Sequence, residues 1–205
     1  MVSIRRISGR RVPPLADPAH VRVVVMGEAP GPLGADVTLH PFWGDRAGRL
    51  VYRALASCGC ASWPGDASVL MLPGRALVTA GVYPVVRDVW LTNAWDRCPT
   101  DDRVRFRAPR LAELRSTANA RRLRREWATA AGRGARHLIA LGRVAALVAH
   151  AVPATWTVHP LPHPSAQGLL QSAPRRGRGC RLVELETAWV EQFAAVVRRI
   201  QRMAR

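Results

Sequence analysis

The sequence contains no lysine; its 31 basic side chains other than histidine are all arginine. Without a side-chain amine, covalent chemistry through a lysine Schiff base is excluded. Cysteine is scarce as well. Cys58, Cys60, Cys98 and Cys180 follow no zinc-binding spacing, so most of them read as ordinary free thiols in a reducing compartment. No window is apolar enough to span a bilayer. The opening "MVSIRRISGRR" runs into "VPPLADPAH" rather than an apolar targeting core. No strongly apolar, basic amphipathic helix suggests a membrane surface. The expectation is a cytoplasmic protein without a membrane partner. Acidic residues are few too, 14 against 31 arginines, and the formal net charge is +17. Such an excess points to a polyanion, nucleic acid first, and arginine suits it through planar, bidentate phosphate contacts.

What is present fits a globular chain. A length of 205 residues with 48% hydrophobic residues suits one domain with a sizeable core. Residues 1–20 are basic and proline-containing and read as an arm, and 21–205 as a single domain. A first strand is expected over Val21–Met26. Leu50, Val51, Ala54 and Leu55 share one helical face over 45–57. Residues 59–84 read as an irregular insertion with room for a hairpin. A second strand over 86–92 ends in "NAWDRCP", and 100–109 is a polar, arginine-rich loop. A helix over 109–131 carries "RRLRRE", whose charge run reads as a solvated face or a nucleic-acid contact. "ARHLIALG" is a third strand and "RVAALVAHA" a short helix. "TWTVHPLPHPS" is a fourth strand running into a loop, "GLLQSAPRRGRGCR" a flexible basic loop, and 183–203 the last helix.

Strands alternating with helices predict an α/β fold with a parallel sheet covered on both faces. Ligands of such sheets sit beyond the carboxyl ends of the strands. Glu28, Asn93 and His163 all fall there, after the first, second and fourth strands. The glycine-rich "GEAPGPLG" is not a dinucleotide fingerprint: Gly27, Gly31 and Gly34 have the wrong spacing, and two prolines remove backbone donors. A phosphate-binding P-loop needs a lysine.

Four ordered segments carry a resemblance. "GEAPGPLGADVTLHPFWGDRAGRLVYRAL" resembles the first motif of the uracil-DNA glycosylases. Within it "GEAPG" is similar to the family 4 form and "PF-x-GD-x-AG-x-L" to family 5, and "GPLG…HPFWGD" is similar to the single-strand-selective monofunctional enzymes. "LTNAWDRCP" resembles the segment that supplies a base-reading asparagine, "HLIALGRVAALV" the core strand and helix, and "LPHPS" the second catalytic motif. The match covers roughly residues 21–170. It implies a three-layer α/β/α fold around a central four-stranded parallel sheet, and hydrolysis of the bond between a base and deoxyribose.

The resemblance also implies roles. Glu28 takes the position of the polar residue that orients or activates water, with Asp45 the alternative acid; Asp45 is equally a helix N-terminal charge favoured by the dipole. Phe42 matches the aromatic that stacks on the extrahelical base, Asn93 the reader of the base edge, and His163 the histidine that stabilises charge on the leaving base. Gly27 and Ala29 border the base; Ser165 and Gly31 fall at phosphate-contact positions. Arg175, Arg176 and Arg178 read either as a DNA-contacting arm or as a solvated loop. The chemistry wants these types. Cleavage creates an oxocarbenium-like sugar and an anionic base, so a carboxylate serves the first and a histidine donor the second. An amide side chain can both donate to and accept from a uracil edge.

Departures from the family pattern matter equally. Families 4 and 5 hold an iron–sulfur cluster on four cysteines. Here no cysteine precedes the first strand and none lies in 99–179, so no cofactor and no metal are expected. Family 1 places a tyrosine after "GEAPGP" to exclude the thymine methyl; Pro32, Leu33 and Gly34 stand there instead. "TDDRVRFRAPR" lacks the histidine with which another branch captures abasic DNA. With no lysine, a monofunctional enzyme without lyase activity is expected, acting as a monomer on DNA containing an altered base. The alternatives are a glycosylase for another base, such as hypoxanthine or 5-hydroxymethyluracil, and a catalytically weak DNA-binding module.

Overall fold

The computed structural model describes residues 6–203; residues 1–5 of the expected arm lie outside them. The chain builds a mainly parallel five-stranded sheet flanked by helices. Its strands are β1 (Leu15–Ala16), β2 (Val21–Gly27), β5 (Asp88–Asn93), β6 (His137–Leu141) and β7 (Thr157–Leu161), in the order β1-β5-β2-β6-β7. The four longer strands are parallel, as expected, and β1 pairs antiparallel with β5 at one edge. Part of the N-terminal segment read as an arm is therefore built into the sheet, and Ile7 and Val12 are buried. The edge strand was missed because two residues beside prolines carry no periodicity.

The central strand shows why the sheet has two covered faces. Its "VVVM" run is buried throughout, with side chains alternating between sides. Val23 and Val25 join Leu91, Ile139 and Leu141 in one core, beneath α2 (Arg46–Ala56) and α8 (Leu182–Met203). Val24 and Met26 join Trp90, Leu138 and Ala140 in the other, beneath α5 (Thr117–Gly132) and α6 (Gly142–Ala149). Each such aliphatic side chain contributes on the order of 1.5–3 kcal/mol on burial.

The insertion contains a small hairpin, β3 (Ala61–Ser62) with β4 (Val85–Val86), enclosing a 3₁₀ turn over 67–71 and α3 (Gly74–Thr79). The helix expected over 109–131 is two helices, α4 (Leu111–Leu114) and α5, because Ser116 caps a new start by accepting from the Asn119 N–H. The segment read as a flexible loop also changes. α7 (Ala166–Ser172) forms where Ser165 accepts from the Gly168 N–H at 3.1 Å and Leu169 packs into the core, followed by a 3₁₀ turn over 174–177. No helix among the described residues is long and apolar enough to cross a membrane.

Candidate active site

The parallel register sets Gly27 directly beside Asn93 at the carboxyl ends of β2 and β5. The pairing runs on past both strand ends. The Ala94 N–H donates to the Gly27 carbonyl at 2.8 Å and the Trp95 N–H to the Glu28 carbonyl at 3.0 Å, so the two strand ends are laced together. Above them opens a cavity of about 880 Å³, whose walls include Glu28, Phe42, Asp45, Asn93, His163 and Ser165, with Ala29 and Gly31 beside them. It lies where β5 and β6 diverge from opposite sides of β2, the place a doubly wound sheet offers a ligand.

Glycine decides how closely the walls converge. A Cβ on Gly27 would stand 2.5 Å from the Phe42 ring and 2.6 Å from the Asn93 amide oxygen. Only a bare backbone lets both side chains reach the strand end. Phe42 itself has φ +62°, a left-handed conformation that a bulky residue adopts only under constraint. The constraint is visible. The backbone of Phe42 occupies the space a side chain on Gly48 would need. The Tyr52 hydroxyl also donates to the preceding Pro41 carbonyl at 2.9 Å, and the Thr38 hydroxyl to that of Trp43 at 3.0 Å.

The titratable groups are poised differently. The Glu28 carboxylate is half-buried, makes no side-chain hydrogen bond among the described residues, and is pushed above the usual carboxylate range by desolvation. Asp45 caps α2, accepting from the Gly48 N–H at 2.7 Å. Burial pushes its pKa up, and the Gly48 and Ala47 amides pull the other way. Burial lowers the His163 pKa, so the ring is neutral near pH 7. Its Nδ1 accepts the Ser165 N–H at 3.2 Å. That leaves the ring proton on Nε2, as a donor. Asn93 is buried, lines the cavity, and its amide is unclaimed by other described side chains.

Arg175, Arg176 and Arg178 are exposed on the turn after α7 and are not among the residues lining the cavity. The walls instead include Phe106, Arg107, Arg143, Gln167 and Gln171, which the sequence had not singled out. Nor had it singled out Arg122. This buried guanidinium donates to the carbonyls of Asn93 and Ala94, each at 3.0 Å, and to Glu126 at 2.7 Å. Glu126 in turn accepts from Thr92 at 2.7 Å. The charge run of α5 therefore has one face in the core. The signal was there: Asn119, Arg122 and Glu126 follow the same helical spacing as the buried Leu123, Trp127 and Ala130.

No group of three or more His, Cys, Asp or Glu side chains among the described residues is disposed to hold a metal ion. Cys58 and Cys60 lie at the end of α2 and beyond it, while Cys98 is buried after β5 and Cys180 precedes α8. A four-thiolate iron–sulfur cluster does not fit this donor set.

The molecule is thus an α/β protein with a largely apolar cavity at its strand ends, into whose wall two acids and a histidine are set, and comparison with known proteins places it in a family. The model of the uracil DNA glycosylase superfamily matches residues 13–178. The chain belongs to that superfamily. It is also 39% identical over 74 residues to a type-5 uracil-DNA glycosylase of Thermus thermophilus; the match spans 36% of this chain and 31% of that relative.

Proposed function

We propose that the protein is a monofunctional DNA glycosylase that hydrolyses the N-glycosidic bond of uracil, or of a closely related base, in DNA. Superfamily membership suggests glycosylase activity on a DNA substrate. The observation that carries the finer reading is the convergence on one cavity of an unpartnered, half-buried carboxylate, a neutral imidazole with a free Nε2–H, and an unclaimed amide.

In this reading the nucleotide leaves the stack and its base lies against Phe42. The Asn93 amide donates to O4 and accepts from N3–H. As the C1′–N1 bond breaks, its electron pair goes to the base and the His163 Nε2–H stabilises the charge developing at O2. Glu28 faces the cationic sugar and orients a water, whose oxygen bonds to C1′ while the carboxylate takes the proton. The products are the free base and an abasic deoxyribose. Asp45, engaged as a helix cap, positions the wall rather than the water. Ser165 and the Gly31 backbone meet phosphates, with Arg175, Arg176 and Arg178 on the DNA farther from the base.

A wider base range is favoured by one observation. Gly31 and Pro32 line the cavity while Leu33 points out, 60% exposed, so no bulky side chain from this loop closes off a 5-substituent.

The test is a panel of labelled oligonucleotides bearing single altered bases: uracil, thymine mispairs, hypoxanthine and 5-hydroxymethyluracil. Strand cleavage is expected for uracil after alkali, and none without it. Tight binding with no product on any base would overturn the enzymatic reading, and cleavage without alkali the monofunctional one.

A further inference from the structure

Beside the cavity, the loop over 100–107 is held in one shape by its own bonds. Thr100 and Phe106 form an antiparallel bridge across it. The Asp102 carboxylate accepts the N–H groups of Val104 and Arg105, both at 2.8 Å, and the Thr100 hydroxyl accepts that of Arg103 at 2.9 Å. At its base Arg107 clamps Glu113 through two nitrogens, at 2.8 and 2.7 Å, and reaches Asp101 at 3.0 Å. From the N-terminal side, the Ile7 N–H donates to the Arg103 carbonyl at 2.7 Å.

This ordered loop presents what ordered loops usually hide. Phe106 is 49% exposed and Val104 46%, although Phe106 also contributes to the cavity wall. Arg103 and Arg105 sit on either side of Val104, and Arg105 directly precedes Phe106; both are exposed and without an acidic partner among the described residues. Arg107, by contrast, is fully engaged. An exposed aromatic that lines the cavity and follows two arginines without acidic partners, on a chain of net charge +17, matches a single strand of nucleic acid. Such strands are held by stacking on aromatic faces and by cations along the phosphates.

We propose that this loop is a preformed DNA-contacting element. Phe106 stacks on a base adjacent to the extruded nucleotide, and Arg103 and Arg105 neutralise backbone phosphates. The proposal rests on the reading of the cavity as a pocket for an extruded base. Its role is in holding DNA, separate from bond cleavage. Because the loop's bonds run through Asp102, Thr100 and Arg107, ordering it on binding costs little entropy.

The test measures binding rather than turnover. Fluorescence anisotropy with an oligonucleotide bearing a non-hydrolysable abasic analogue is titrated against salt. Phe106→Ala is expected to weaken binding about tenfold with an unchanged salt slope, and Phe106→Trp to restore it. Arg103→Gln with Arg105→Gln should reduce the salt slope by about 1.4–1.8, the value for two phosphates. A 2-aminopurine placed next to the analogue should brighten in Phe106→Ala relative to the wild-type complex as stacking is lost. A Phe106→Ala protein that excises uracil, binds within twofold of wild type and leaves 2-aminopurine unchanged overturns this proposal and leaves the glycosylase reading intact. A wild-type protein that excises no base, yet shows the Phe106 effects on binding, overturns the glycosylase reading alone. Absence of any DNA binding overturns both.

Discussion

The Arg122 guanidinium lies 3.0 Å from the main-chain oxygen of Asn93. A charge on the buried face of α5 thus fixes the end of β5, where the Asn93 amide, proposed to read the base, is carried. The same group meets Asn119 at 2.8 Å and Glu126 at 2.7 Å. Buried and engaged on several sides at once, it cannot be lost cheaply.

Replacing Arg122 by methionine strands the Glu126 carboxylate in the core and removes donors from two carbonyls. Breaking a buried pair in this way costs about 3–5 kcal/mol, measurable as a lowered urea midpoint. Arg122→Lys keeps the charge but, as a point donor, cannot serve both carbonyls and Glu126 together. It should fold with a smaller loss, and its kcat/KM on uracil should fall about tenfold or more as Asn93 loses its seat. An Arg122→Lys enzyme with wild-type base discrimination and rate would show that Arg122 serves stability only.

Gly27→Ala probes the convergence directly. The added methyl would stand 2.5 Å from Phe42 and 2.6 Å from Asn93, and one of the two must retreat. Displacements near 1 Å cost about 10²-fold in rate. The expected outcome is that loss in kcat/KM with a far-ultraviolet circular dichroism spectrum unchanged. A fully active Gly27→Ala enzyme would place the reacting base elsewhere.

How far these relationships were legible in the sequence depends on what each residue does. Glu28, Asn93 and His163 were legible because a strand that ends in a polar residue announces itself through the break in an apolar run. The parallel sheet then brings such ends together. Arg122 was legible only in part: its spacing sets it on the helix face of the buried Leu123, Trp127 and Ala130, but a run of arginines on a helix ordinarily faces water, and the tertiary contacts supply the reason this one turns inward. α7 was hidden by Gly168 and Pro174, which read as loop formers; the Ser165 cap and the packing of Leu169 override them. Phe106 was silent because an exposed aromatic on a loop has no periodic neighbour to reveal it.

Glu28 should couple activity and stability in opposite directions. Burial raises its folded pKa above the ordinary 4.5. The stability this group contributes is therefore present below pH 4.5 and lost as pH rises through the folded value. At pH 7 the ionised carboxylate weakens the fold. Glu28→Gln should melt above the wild type at pH 7 and level with it at pH 4 by calorimetry. Its kcat should fall about 10²–10⁴-fold, the worth of a general base. A lower Tm at pH 7 would show that Glu28 has a partner that stabilises its charge.

His163 acts in this scheme as a neutral donor. Its pKa is lowered by burial, so the imidazole stays neutral to lower pH than an exposed histidine would, and kcat should not begin to fall at the ordinary histidine value of 6.5. Below it, protonation drives a charge into a desolvated seat. That seat's contribution to stability is present above pH 6.5 and lost as pH falls through the folded value. His163→Ala should lower kcat about 10²–10³-fold, as for loss of one oxyanion donor. Ring 15N shifts at pH 8 that assign the proton to Nδ1 rather than Nε2 would remove His163 from this role.

Asp45 separates the two acids. Its Oδ1 caps α2 through the Gly48 N–H at 2.7 Å, and its other oxygen faces Gly31 and Gly34. Asparagine caps nearly as well as aspartate, whereas alanine does not, at a cost of about 1 kcal/mol. For a capping role, Asp45→Asn should retain stability and excise uracil within about threefold of wild type, a difference below 1 kcal/mol. Asp45→Ala should lose stability first and activity with it. If Asp45 handled the water, Asp45→Asn would instead fold normally and lose kcat on the scale set for Glu28→Gln. Measuring both amide variants side by side at saturating oligonucleotide decides which carboxylate faces the sugar.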